Sequence, residues 1–212
     1  MGADDTDKQE EAGKRYEMLS GLTLAVLAAV LAVTDLGGGK YGDDEIIGTA
    51  EKSNAYAWYQ SKSLKQTVLE QQQQLLKGLS DAGAIAPEAK ATIDGQVAAL
   101  DKDIARYKAE KKEIMEGSEA VGKEGQVLDK DGQLGQIIGA KQWEAKLAVL
   151  GEAGDVFDLS TLYLQLCLVL GAVGLVLQQP RLRWAFYASM VICGAVGSVY
   201  SVQAFQVALA IP

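Results

Sequence analysis

The side chains best suited to contact chemistry are Tyr56, Trp58 and Tyr59, followed closely by Lys62 and Lys65. Rings and cations on one helix suit a docking surface, because rings bury much area and ammonium groups lie favourably over ring faces. The plainer reading of the same residues is packing against another helix of this chain or against a neighbouring copy. Reactive chemistry has less support. There is no histidine, which removes the commonest transition-metal ligand and the usual general base. A serine or cysteine nucleophile would need a lysine as its base, and no spacing puts one beside it. The expectation is a protein that is not an enzyme and holds no metal or cofactor.

Three short motifs match by spacing and fail on context. Gly37-Gly-Gly-Lys-Tyr-Gly42 has the G-x-G-x-x-G pattern, but an apolar run precedes it where a dinucleotide fold needs a strand. It reads as a hinge at the end of a membrane span. Asp129-Lys-Asp-Gly132 resembles part of a calcium loop. With Asp131 at loop position 5, however, Val127 and Ile138 occupy the two places that must be acidic. Met1-Gly-Ala-Asp-Asp-Thr6 fits the loose acylation pattern only weakly.

The elements that must carry the aromatic cluster follow from periodicity. Ile47, Ala50, Asn54, Ala57, Ser61, Leu64, Val68, Gln71 and Leu75 form an a/d heptad series, the seam of a helix that runs along a partner. Asn54 on that seam would fix register. A turn at Gly78 to Pro87 leads to a second helix, which reaches Glu116. Its seam is Ile93, Val97, Leu100, Ile104, Tyr107 and Ile114. Matched lengths and a short connection predict an antiparallel, coiled-coil-like helical hairpin. Gly117 to Gly139 reads either as a looped connection or as a helix with a glycine face.

Three uncharged runs suit a bilayer, whose core needs about 20 apolar residues in a helix. The division is a mobile acidic tail at 1–17, a transmembrane helix at 18–35, a helical domain at 36–158, and transmembrane helices at 159–178 and 183–206. The first run could also be read as a signal peptide. The long acidic stretch before it and the lack of a clean cleavage site favour a retained span. Small residues form ridges in two of the spans. One comprises Gly21, Ala25, Ala28 and Ala32; the other comprises Ala185, Ser189, Cys193, Gly197 and Ser201. Such ridges let helices approach closely, within one chain or between chains. Cys167 and Cys193 lie in apolar runs and read as small buried side chains.

The net charge is -8, and residues 35–158 carry 22 acids against 15 bases. An acidic soluble part argues against nucleic acid as a partner. Lys14, Arg15, Arg181 and Arg183 flank the spans. They assign the N-terminus and the last turn to the cytoplasm, and residues 36–158 to the far side. The spans hold no ionisable group of the kind a pump needs.

Trp58, Tyr59, Gln60, Lys62, Ser63, Lys65 and Gln66 match a motif of a bacterial family of membrane proteins, the domain-of-unknown-function family 4337. Phe157-Asp-Leu159 and Gln165 match that family's pattern at the start of the second span. The chain resembles the family over nearly its whole length. The resemblance implies a bacterial membrane protein with one N-terminal span and a C-terminal pair, and it implies no activity. The expected function is structural: a self-assembling oligomeric scaffold, or an accessory subunit of a larger complex in the bacterial inner membrane. Its partners would be lipids, copies of itself and other membrane subunits. A pore or tension-gated channel made of several copies is the alternative, with an enzyme third.

Overall fold

The computed structural model describes residues 3–210, with the backbone alone for residues 3–10 and Ala12. Met1 and Gly2, where the acylation pattern begins, lie outside the described residues. Among the described residues the protein is all-α, with three helices long and apolar enough to cross a membrane. Helix α1 spans Ala3–Asp81, α2 Pro87–Glu116 and α3 Ser118–Val121. A short ribbon of β1 (Asp129–Lys130) and β2 (Gln133–Leu134) follows, then α4 (Ala140–Val176) and α5 (Pro180–Leu209).

Local chemistry explains the breaks. Helix α1 ends in a Schellman motif: Ala84 N–H donates to Leu79 O, and Gly83 N–H to Ser80 O, with Gly83 at φ +66°. Pro87 and Pro180 each open a helix, where the missing N–H costs nothing.

The chain divides into two compact units, residues 1–46 with 148–212, and residues 47–147. In the first, Leu27, Leu164, Cys167 and Met190 form one core, and Ala153, Phe157, Ala204 and Ala208 another. Two buried hydroxyl contacts tie the helices together. Thr34 Oγ1 and Ser201 Oγ lie 2.7 Å apart, and Ser160 Oγ donates to Gly197 O at 2.8 Å.

Two expectations are corrected in this unit. Residues 3–17 are helical rather than a loose tail, and Tyr16 is only 3 % exposed, packed edge-on to Trp184. Gly37 to Gly42 is no hinge either, because α1 continues through it. A Cβ on Gly37 would lie 2.6 Å from Phe205 Cζ. The bare backbone there admits Phe205 and Phe157, which meet edge to face at 5.0 Å, while Tyr41 stacks on Phe157. Each helical glycine costs about 1 kcal/mol relative to alanine, and this aromatic packing offsets it.

In the second unit the α2 seam faces inward as expected, with Ile104 and Ile114 buried. The α1 seam does not. All nine of its positions from Ile47 to Leu75 are exposed. The side of α1 turned inward carries Gly48, Tyr59, Lys62, Gln66, Leu69, Gln73 and Leu76. Polar pairing selects that face: Lys62 Nζ lies 2.6 Å from Glu110 Oε2, an ionic contact rather than an aligned hydrogen bond. Gln73 Nε2 donates to Asp101 Oδ1 at 2.6 Å.

The segment 117–139 is a folded loop. Asp131 (φ +55°) and Gly132 (φ +82°) form the two-residue turn of the β1–β2 ribbon, a conformation that Asp-Gly pairs favour. Asp129 Oδ1 accepts from Gly132 N–H at 2.6 Å, so this acid braces a turn. Glu113 is fully buried and anchors the loop. Its Oε1 accepts from Ser118 Oγ, and its Oε2 accepts from Val127 N–H and Leu128 N–H, all between 2.7 and 2.8 Å.

Candidate interaction surface

The aromatic and basic residues of α1 divide between two faces. Tyr56 donates to Glu144 Oε1 at 2.8 Å. Tyr59 lies under Lys111, whose Nζ is 5.1 Å from the ring centre. Lys62 sits 5.4 Å from the Tyr107 ring in addition to its contact with Glu110. These three residues therefore hold the unit together. Trp58 and Lys65 remain on the open side, as does Asn54.

Trp58 and Asn54 line a cleft of about 480 Å³ with Ile47, Ile114, Ile137 and Trp143. Three anchors shape its far wall. The Glu113 carboxylate fixes the loop that ends in Ile137, whose N–H donates to Ser118 Oγ at 2.9 Å. Lys141 Nζ pairs with Glu116 Oε1 at 2.6 Å, which ties the start of α4 to the end of α2. Gly48 leaves room for Leu147 and the Trp143 ring, 3.1 and 3.5 Å from where its Cβ would stand. The lining holds four isoleucines and two indoles alongside Glu51, Asp129 and Lys130. Such a surface suits burial of apolar side chains more than activation of a substrate.

The charges around it are set by contact. The hydrogen bond to Glu144, with burial and the Glu144 charge adding to it, raises the Tyr56 phenol above its usual 10.0, against a smaller opposing effect of Lys141. The Glu116 carboxylate raises Lys141 above 10.5. Among the described residues, no group of three His, Cys, Asp or Glu side chains comes together as a metal would require.

The small-residue ridges separate in the same way. Gly197 and Ser201 are buried within the chain, and a Cβ on Gly197 would stand 2.8 Å from Leu164 Cγ. Cys193 is half-buried, while Ala185 and Ser189 are exposed. Gly21, Ala25, Ala28 and Ala32 are all exposed, and nothing lies within 4 Å of a Cβ placed on Gly21. The ridge of α5 that packs in-chain is Met190, Gly194, Gly197, Ser201, Ala204 and Ala208.

Sequence reasoning missed Glu113, Ser118 and Glu144, because nothing in a single sequence marks a glutamate that will cap a loop. The Asp131-Gly132 turn did carry a signal, since an Asp-Gly pair is a strong short-range hairpin cue.

These features define a helical protein with three membrane-length apolar helices and a polar unit built on α1 and α2. The chain belongs to the family described as domain of unknown function DUF4337, which it matches over residues 17–207. No curated protein and no solved structure matches it.

Proposed function

We propose that this protein is a structural component of a bacterial inner membrane, a self-assembling scaffold with no catalytic role. In this reading the three apolar helices cross the bilayer. Residues 36–158 stand on the periplasmic side, with α1 and α2 as an antiparallel, coiled-coil-like hairpin. The pairs Lys62–Glu110 and Gln73–Asp101 support the antiparallel arrangement, since α1 numbers rise as α2 numbers fall. Arg183 bonds Glu17 at 3.0 Å, and Tyr16 donates to Arg183 O at 3.0 Å. That proximity of the two basic flanks supports their sharing the cytoplasmic side. Tyr16, Trp184 and Tyr187 form a ring cluster suited to a membrane interface.

The observation that carries self-assembly is the ridge Gly21, Ala25, Ala28 and Ala32, all of them exposed among the described residues. Small ridges let spans of neighbouring copies meet at close range. An accessory subunit would use the same ridge against other membrane proteins. The test is Ala25→Leu with Ala28→Leu, sized in mild detergent. A smaller particle with unchanged helix content supports the reading, and an unchanged particle contradicts it.

A further inference from the structure

We infer that the open face of α1 between Ile46 and Leu75 pairs with the same face of a second copy, as a parallel two-stranded coiled coil. This rests on the self-assembly reading and assigns it an interface outside the spans.

Six of the nine seam positions are apolar, and all nine are exposed. Ile47 is 58 % exposed, Leu64 68 %, Val68 52 % and Leu75 63 %, values that leave large side chains in water. The heptad series runs for about four repeats, roughly 40 Å of helix, which is enough for a specific coiled coil. The residue types select the partner. Ile47 and Val68 occupy a positions and Leu64 a d position, the combination that favours two parallel strands. In register, like layers meet: the apolar ones, the polar Ser61 and Gln71 layers, and Asn54 with Asn54, a pairing that fixes register and copy number.

Charge agrees with a copy as the occupant. The unit is nearly neutral, with 15 acids against 14 bases over residues 47–147, and the a, d, e and g positions from 46 to 75 hold only Glu51 and Lys65 as charged groups. In a parallel pair each g residue faces the e residue five positions on. The facing pairs are Ile46 with Glu51, Ser53 with Trp58, Gln60 with Lys65 and Thr67 with Gln72. No pair sets like charges together, so two copies meet here without repulsion. Copies inserted in one bilayer with one topology also run their α1 helices in the same direction. The cleft beside Ile47, Asn54 and Trp58 adds space for side chains of the second helix.

The test is disulfide trapping in native membranes, using the full chain with Cys167→Ser and Cys193→Ser. Under mild oxidation, Ala57→Cys is expected to give a covalent dimer. Thr49→Cys, exposed on a different side of α1, is expected to give at least several-fold less. Separately, Val68→Glu should shift the native particle to a smaller mass at unchanged helix content. Equal trapping at both positions, or trapping of Ala57→Cys only to a different polypeptide, would overturn the inference. Particles of several copies that ignore Val68→Glu and show no Ala57→Cys dimer would overturn it while leaving self-assembly intact. A single-copy particle would overturn both.

Discussion

Glu113 and Ser118 are joined side chain to side chain at 2.7 Å in a fully buried setting, across the break between α2 and α3. The same carboxylate accepts two backbone N–H groups, so one side chain organises the glycine-rich loop. Glu113→Ala should leave a hydroxyl and two amides without an acceptor. Each buried orphan costs about 1–3 kcal/mol, so a loss of at least about 3 kcal/mol is expected in this unit. Hydrogen exchange should show residues 117–139 exchanging faster, with α5 unaffected. Unchanged protection would contradict the anchoring role.

Gly197 and Gly39 make a contrasting pair. A methyl on Gly197 would meet Leu164 Cγ at 2.8 Å and Leu164 N at 3.1 Å. Overpacking of this kind costs about 1–3 kcal/mol, so Gly197→Ala should lower the thermal midpoint in detergent. A methyl on Gly39 meets nothing within 4 Å among the described residues, and alanine suits a helix better, so Gly39→Ala should not lower that midpoint.

Tyr56 gives a pH-dependent contact. Its phenol is raised above 10.0 mainly by the hydrogen bond it donates to Glu144. A raised pKa in the folded state means that the contact stabilises below pH 10 and is lost as pH climbs through the raised value. Phenolate absorbance of the native protein minus that of Tyr56→Phe should therefore titrate above 10.0. Glu144→Gln removes the charge and should bring the titration down towards 10.0. A midpoint at or below 10.0 in the native chain would contradict the contact.

Much of the architecture was legible because it rests on periodicity and punctuation. The three apolar runs, the turn before Pro87 and the inward seam from Ile93 to Ile114 need only hydrophobic spacing and proline. The seam from Ile47 to Leu75 shows the limit of that logic. Periodicity marks a face that wants a partner, but it does not say which partner. In this chain α2 takes the neighbouring polar face through Lys62 and Gln73. The glycines at 37 and 38 misled for a related reason. Glycine signals either backbone freedom or close approach, and only the rings of Phe157 and Phe205 decide between them. Trp58 and Lys65 lie exposed, whereas Tyr56, Tyr59 and Lys62 spend their chemistry inside the unit, a division that sequence spacing did not show. The loop anchored by Glu113 depends on contacts between residues far apart in sequence, which no spacing rule reports.

The central claim is self-assembly, and native mass spectrometry of the complex released gently from its own membrane tests it most directly. The account predicts a mass equal to a whole multiple of this chain, with the two-copy species as the smallest unit that survives activation. A particle holding one copy with lipid alone would contradict it.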